Sequence, residues 1–132
     1  MWGGRKWFKM KCPMLDKLIL IVEDNKMVSD VAAYILKSSG YEVIVKDDYE
    51  SAIECLSTRT DISLLLTDII LPNGRRGTEI AAFAREKFAN LPIIFTSAFS
   101  DQHLNFSSST CTHFIQKPYR AKQLKQTVDN VL

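Results

Sequence analysis

The amino-acid sequence predicts an α/β fold, a doubly wound (βα)5 sandwich in which helices cover both faces of a five-stranded parallel sheet. Five short apolar runs alternate with segments of helical spacing from Lys17 to the last residue, which is the pattern of successive βαβ units. The runs are nearly continuous, as expected for strands that are buried on both faces. A chain of 132 residues has the length of one domain.

The first part of the chain provides two strand–helix pairs. Residues 17–22 form an apolar run that predicts a buried strand. Residues 25–39 have helical spacing, and Gly40 is a typical helix stop. The side chains expected to face the core from this helix are Met27, Val31, Tyr34, Ile35 and Leu36. Residues 41–45 predict the second strand, and Asp47-Asp48 offers capping carboxylates for a helix through residue 56.

Three further pairs follow. Strands are predicted at residues 62–67, 92–96 and 112–116. Residues 72–77 have the composition of a loop, and Thr78 is expected to cap the helix after it. The Ser-rich residues 100–109 predict only a short helix, whereas residues 120–132 have clear helical spacing. The apolar faces of the third and last helices contain Ile80, Ala81, Ala84 and Phe88, and Leu124, Val128 and Val131 or Leu132.

Polar side chains follow four of the predicted strands. Glu23 and Asp24 come after the first strand and Asp68 after the third. Ser97 comes after the fourth and Lys117 after the fifth. In an open parallel sheet, the carboxyl ends of the strands meet at one edge, where ligands bind. We therefore expect these five side chains to form one site.

The chemistry of these side chains suits a divalent metal ion and a phosphoryl group. Three neighbouring carboxylates repel one another unless a cation or a proton lies between them, and oxygen ligands favour a hard ion such as Mg²⁺. A carboxylate oxygen of Asp68 could then attack phosphorus. Lys117 offers positive charge to phosphate oxygens, and Ser97 offers a hydrogen-bond donor.

Composition separates residues 1–15 from the rest of the chain. The formal net charge is +2, but five basic residues against Asp16 give residues 1–17 a charge of +4 and leave the remainder at −2. Because the net positive charge of the chain comes from residues 1–17, it does not predict nucleic-acid binding. We expect residues 1–15 to be a poorly ordered basic and aromatic extension, with membrane or partner contact as the alternative, and residues 16–132 to form the folded domain.

Two features bear on location. The apolar runs are strand-sized, far short of the ~20 residues of a membrane-spanning helix. Cys12, Cys55 and Cys111 are an odd set without metal-ligand spacing, and they predict free thiols in a reducing compartment. We therefore expect a cytoplasmic location.

Four short segments give the chain a resemblance to a known family. They are Ile-Val-Glu-Asp-Asn at 21–25, Thr-Asp-Ile-Ile-Leu-Pro at 67–72, Pro-Ile-Ile-Phe-Thr-Ser-Ala at 92–98 and Phe-Ile-Gln-Lys-Pro-Tyr at 114–119. In this order and at these spacings, they resemble the receiver domain of two-component response regulators, over about residues 18–132. The resemblance implies a flavodoxin-like sheet with the strand order 2-1-3-4-5.

The resemblance also implies roles for the acidic residues. Asp68 would be the phospho-acceptor. Asp24 and Asp68 would bind Mg²⁺ directly, together with the backbone carbonyl of Ile70, and Glu23 would act through water. The loop after Asp68 is one residue longer than in the commonest members, so that Gly77 lies nine rather than eight positions after the acceptor. We interpret the longer loop as variation within the family.

The same resemblance assigns the groups that respond to phosphorylation. Lys117 would contact the phosphate, and the Lys117–Pro118 bond would be cis. The switch hydroxyl would be that of Ser97, with Thr96 as the alternative after a slip of one residue. Phe114 occupies the position of the aromatic switch, where its ring lacks the hydroxyl of tyrosine but can still repack.

Three positions would flank the bound phosphate, namely Ile70, Ala98 and Phe99. Because Ile70 and Phe99 are bulky and apolar, we expect them to limit the access of water. The phosphorylated form is therefore expected to lose its phosphoryl group slowly.

These implications together predict a phosphorelay receiver. Asp68 would take a phosphoryl group from a histidine kinase or a histidine phosphotransfer protein, and a downstream protein would bind the surface of the predicted fourth helix, fifth strand and last helix. A receiver fragment of a hybrid kinase or larger regulator is the first alternative. A Mg²⁺-dependent aspartyl-phosphate phosphohydrolase is disfavoured because Ile70 replaces its second aspartate, and a nucleotide-binding module is disfavoured because no glycine-rich loop follows the first strand. Such a receiver is not an enzyme beyond its own phosphorylation and dephosphorylation.

Overall fold

The computed structural model describes residues 17–98 and 111–132. Within them, five parallel strands form one sheet in the order β2-β1-β3-β4-β5. The strands are β1 Leu18–Val22, β2 Glu42–Lys46, β3 Ile62–Asp68, β4 Ile93–Ser97 and β5 Thr112–Gln116. Both the predicted fold class and the predicted strand order are confirmed.

Four α-helices lie within the described residues. They are α1 Lys26–Ser38, α2 Tyr49–Thr58, α3 Gly77–Lys87 and α4 Ala121–Val131, with a short 3-10 turn at Pro72–Gly74. The helix predicted at residues 100–109, Phe99 and the leader 1–15 lie outside the described residues. In the part of the chain that the structure describes, no helix has both the length and the hydropathy of a membrane span.

The helix starts follow local hydrogen bonding. The Asn25 side chain accepts a hydrogen bond from the Val28 amide at the start of α1, and Asp48 accepts one from the Ser51 amide at the start of α2. The prediction that Thr78 caps the third helix is wrong. The helix already includes Thr78, because it begins at Gly77 with Arg76 at the cap position. The Arg76 amide donates to Glu79 Oε1 at 2.8 Å.

Two apolar layers cover the sheet. On one face, Leu20, Leu65 and Ile93 pack with α2 and α3, and on the other face Ile19, Leu64 and Ile94 pack with α1 and α4. Successive strand residues alternate between these layers. The strands are therefore buried from both sides, as their continuous apolar sequences predict.

The buried face of α1 differs from the predicted one. Met27, Val31 and Tyr34 are 76%, 51% and 74% exposed. The prediction is confirmed for Leu36, which is buried, and Ile35 is partly buried against the core, but the other buried side chains of α1 are Ser29, Ala32 and Ala33. Mostly small side chains let the helix lie close to the sheet, and the larger ones are left at the surface.

Candidate functional site

Strand pairing brings the polar side chains to one edge of the sheet. Val22 pairs with Thr67, which places Glu23 beside Asp68 across β1 and β3. Asp68 itself pairs with Thr96 of β4. On the far side of β4, the Lys117 amide donates to the Ser97 carbonyl at 2.8 Å, so the residue after β5 is held against the end of β4.

The ammonium group of Lys117 lies between two carboxylates. Its Nζ is 2.5 Å from Glu23 Oε1 and 2.7 Å from Asp68 Oδ1. Burial alone would lower the pKa of Lys117, but its contacts with Asp68 and Glu23 raise that pKa above the ordinary value. The side chain therefore remains a cation inside the site. The Lys117–Pro118 bond is cis, as predicted.

Glu23 is a buried carboxyl group beside another carboxylate. Burial, and after it the neighbouring Asp68, raise the pKa of Glu23 to about 7, although hydrogen bonds from Lys117 and from the Asn25 amide act in the opposite direction. Proximity of like charges and removal from water both disfavour the ionised form. A bound cation would offset both the repulsion between the two carboxylates and the cost of removing them from water.

The geometry of the acidic residues suits a metal ion. Glu23, Asp24 and Asp68 each offer a carboxylate oxygen, and these oxygens lie within 4.8 Å of one another. Asp24 is exposed, whereas Glu23 and Asp68 are buried. An all-oxygen set of this kind fits a hard divalent ion such as Mg²⁺, which binds through few carboxylates and keeps some of its water. The three carboxylates thus lie together as predicted, while their binding of Mg²⁺ and the contribution of the Ile70 carbonyl stay predictions.

The hydroxyl group in contact with Asp68 belongs to Thr96. Thr96 Oγ1 donates to Asp68 Oδ1 at 2.7 Å, and both residues are buried. Paired residues of neighbouring strands place their side chains on the same face of a sheet. The family resemblance implied Ser97, with Thr96 as the alternative after a slip of one residue. The register between β3 and β4, which brings Thr96 to Asp68, is not visible in the sequence. Ser97 is buried at the end of β4, and its role as the switch hydroxyl stays a prediction.

The remaining predicted positions are Ile70, Ala98, Phe99 and Phe114. Ile70 and Ala98 are exposed, and Phe99 lies outside the described residues. Phe114 on β5 is 38% exposed. The ring is therefore partly at the surface, as a binding face requires, but its part in switching stays a prediction.

Sequence reasoning missed two features beside Asp68. Gly77, singled out only for its spacing, leaves room for the loop after β3, because a Cβ atom there would lie 1.9 Å from the Asp68 carbonyl oxygen. The second feature is an open apolar groove of about 490 Å³, lined by Met27, Val28, Val31, Ala98, Lys117, Pro118 and Tyr119. The wrong prediction for the buried face of α1 concealed this groove, since two of its lining residues were expected in the core.

The fold and the site define a class. A doubly wound sheet carries three clustered carboxylates, a half-buried lysine before a cis-proline and a strand-end hydroxyl at one edge, which is the arrangement of a receiver domain. The chain belongs to the response regulator receiver domain family, whose model matches residues 19–129. It is thus a receiver domain of the two-component type.

Individual relatives agree with this assignment. Over 115 residues, the chain is 31% identical to the uncharacterized transcriptional regulatory protein YbdJ of Bacillus subtilis, covering 86% of this chain and 50% of the relative. The receiver domain of the hybrid histidine kinase CckA is 33% identical, with a TM-score of 0.74 over 87% of this chain and 98% of that one. The response regulator TrrA of Thermotoga maritima, solved in complex with Mg(2+)-BeF, is 28% identical with a TM-score of 0.77 over 88% of this chain and 99% of that one. The chain spans half or less of the length of these curated relatives, including 50% of YbdJ and 17% of the putative two-component response regulator ARR21 of Arabidopsis thaliana.

Proposed function

We propose that Asp68 accepts a phosphoryl group from the phosphohistidine of a histidine kinase or a histidine phosphotransfer protein, and that Mg²⁺ is required. One observation carries the proposal. The buried Asp68 carboxylate touches the Lys117 ammonium and the Thr96 hydroxyl, and one of its oxygens lies within 4.8 Å of carboxylate oxygens of Glu23 and Asp24. A carboxylate in this setting has both the charge compensation and the fixed position that phosphoryl transfer requires.

Asp24, Asp68 and Glu23 would hold the metal ion. When bound, Mg²⁺ neutralises charge on the carboxylates and on the incoming phosphoryl oxygens. The solved structure of TrrA with Mg(2+)-BeF supports this assignment by analogy, because that receiver is 28% identical to this chain.

The residues of the chain account for the transfer step. A lone pair on an Asp68 carboxylate oxygen attacks phosphorus, the P–N bond to the donor imidazole breaks, and the imidazole nitrogen keeps the bonding electron pair. Lys117 is already beside Asp68, where its ammonium group can offset the charge of the phosphoryl oxygens. The aspartyl-phosphate product therefore forms next to a cation that the fold supplies.

The signal would leave through the surface around Phe114. Its partly exposed ring lies on β5, the strand that precedes α4 in the chain. Phosphorylation would shift a pre-existing equilibrium of this surface towards a form that a downstream protein binds. The domain would catalyse only its own phosphorylation and dephosphorylation. The proposed chemistry is the same whether the receiver is a separate regulator or part of a hybrid kinase.

The test compares the native chain with Asp68→Asn. Each is incubated with acetyl phosphate and Mg²⁺, and the intact mass and the backbone amide spectrum are recorded. We expect one phosphoryl group and a set of shifted amides in the native chain only. Both tryptophans lie at positions 2 and 7, so amide signals report on the site more directly than tryptophan emission does.

Asp61→Asn is the matched control. Asp61 is exposed and pairs with Arg59 away from the acidic cluster, so this variant should take up phosphate like the native chain. Equal phosphate uptake by Asp68→Asn, or no uptake by the native chain, would rule out Asp68 as the acceptor.

A further inference from the structure

The two oxygens of the Asp68 carboxylate have different surroundings. Two donors end on one oxygen of this carboxylate, since Oδ1 accepts from Thr96 Oγ1 at 2.7 Å and lies 2.7 Å from Lys117 Nζ. Two donors on one oxygen fix the orientation of the carboxylate plane, because rotation about the side chain would break both contacts. The two oxygens are thereby made chemically distinct.

Thr96 is well placed to hold this orientation. Its side chain is buried, and it lies directly opposite Asp68 in the register of β3 and β4. A strand position is more rigid than a loop position, and a threonine side chain in a strand has few rotamers. Lys117, by contrast, reaches the site on a long side chain from beyond β5 and also contacts Glu23. Thr96 is therefore the more firmly fixed of the two donors.

We propose that Thr96 is a positioning residue that holds one oxygen of Asp68 and leaves the other as the nucleophile. This inference rests on the proposed function of Asp68 as phospho-acceptor. The other oxygen attacks phosphorus, and the bond to the leaving group breaks, with the leaving group keeping the electron pair. The oxygen held by Thr96 becomes the carbonyl oxygen of the acyl phosphate and keeps its hydrogen bond. Thr96 then stays with the carbonyl group, and contact with the phosphoryl oxygens stays the role that the family resemblance implies for Ser97.

The test measures phosphorylation by acetyl phosphate with Mg²⁺ in Thr96→Val and Thr96→Ser. Valine has the shape of threonine but no hydroxyl. We expect Thr96→Val to lower the maximal rate about tenfold with little change in the half-saturating donor concentration, because the acceptor loses its fixed orientation. Thr96→Ser restores the hydroxyl and should recover most of the rate.

Infrared spectroscopy of the phosphorylated protein measures the carbonyl band of the acyl phosphate. The position of this band would not change if Thr96 had only a structural role. With ¹³C-labelled aspartate, the carbonyl band of the acyl phosphate should lie at higher frequency in Thr96→Val than in the native chain. The reason is that a hydrogen bond to the carbonyl oxygen weakens the C=O bond. Thr96→Ser should keep the native band position.

Thr67→Val is the matched control. Thr67 is also buried and adjacent to the acceptor, but its hydroxyl donates to the backbone carbonyl of Asp68 rather than to the carboxylate. We expect its rate and carbonyl band to match those of the native chain. If Thr96→Val does not fold, Thr96→Ala removes the same hydroxyl without adding a methyl group and serves in the same comparison.

The outcomes separate this inference from the proposed function. A native rate and an unshifted band in a folded Thr96→Val or Thr96→Ala variant would overturn the role of Thr96 and leave Asp68 as the acceptor. A faster rate in either variant would also overturn the role of Thr96, because it would mean that the hydrogen bond restrains the nucleophile. Absence of Asp68-dependent phosphorylation in the native chain would overturn both proposals.

Discussion

At the scale of single residues, the charges around Asp68 decide what it can do. Lys117 contributes one positive charge to a pocket that contains Glu23 and Asp68, and all three side chains are largely buried. Removing one member of a buried ionic group costs more than forming the group contributes, because the partners keep their desolvation without their compensation. The lysine is therefore a structural element of the pocket before any phosphate arrives.

Lys117→Met should lower the free energy of unfolding by about 3 kcal/mol in the absence of divalent ions. The physical reason is that Glu23 and Asp68 then face each other without their shared cation. Added Mg²⁺ should restore part of the loss, because it neutralises the same carboxylates. Urea unfolding with and without Mg²⁺ measures both effects.

Lys125→Met is the control for this prediction. Lys125 forms a surface pair with Asp129 at 2.7 Å, and its side chain is 52% exposed, so its loss should change stability by less than about 1 kcal/mol. Equal effects of the two substitutions would contradict the buried-pair interpretation.

At the scale of secondary-structure elements, the loop between β3 and α3 is held close to the strand that carries Asp68. The Gly77 amide donates to the Ile69 carbonyl at 2.8 Å, and the Leu71 amide donates to the Arg75 carbonyl at 2.9 Å. These bonds return the chain so tightly that only a residue without a side chain fits at position 77. The start of α3 is thus coupled to the backbone of Asp68.

Gly77→Ala should destabilise the fold by about 3 kcal/mol, because the new methyl group overlaps the Asp68 carbonyl oxygen and the backbone must move. Gly74→Ala is the contrasting substitution. Gly74 has a φ of +73° but open space around it, so only backbone strain of about 1 kcal/mol is expected. Thermal or urea unfolding compares the two. A smaller loss for Gly77→Ala than for Gly74→Ala would show that the loop yields to the methyl group.

Elements also show where sequence reasoning succeeds. Strand positions and the meeting of Asp68 and Lys117 at one edge follow from apolar runs with polar ends, because strand burial and the shared carboxyl edge are general properties of such sheets. The buried face of α1 did not follow, since helical spacing allows both the large side chains around Val31 and the small ones around Ala32. The choice depends on how closely a helix can approach the sheet, which only tertiary packing determines. The contact of Thr96 with Asp68 likewise depends on strand register.

At the scale of the whole molecule, a partly buried hydrogen bond joins the last helix to the residue before β2. Tyr41, which precedes β2, donates from its hydroxyl to Asp129 Oδ1 of α4 at 2.5 Å. The Lys125 and Tyr41 hydrogen bonds lower the pKa of Asp129, and burial followed by the contact with Asp129 raises the pKa of Tyr41. The contact is therefore strongest when Asp129 is ionised and Tyr41 is protonated.

Tyr41→Phe should lower the free energy of unfolding by about 1.5 kcal/mol at neutral pH, since a hydrogen bond to a charged group is lost. The folded-state pKa of Asp129 is lowered, so its contribution is present above the unfolded value of 3.8 and is lost as the pH falls through the folded value. The difference between the variant and the native chain should therefore shrink in acid. Urea unfolding at neutral pH and near pH 3 tests this. Tyr34→Phe, at a 74% exposed tyrosine, should show no such difference, and a pH-independent cost for Tyr41→Phe would contradict the role of Asp129.

The order of the strands has a consequence for the folding kinetics of the domain. The polar groups of the site lie at the carboxyl ends of β1, β3, β4 and β5, and β1 and β3 are neighbours in the sheet although β2 lies between them in the chain. Contacts of this kind are non-local, and non-local contacts form slowly and late. A locally folded hairpin or helix pair therefore cannot contain the pocket. Phosphate acceptance should arise only when the parallel sheet is assembled, and it should vanish together with the sheet.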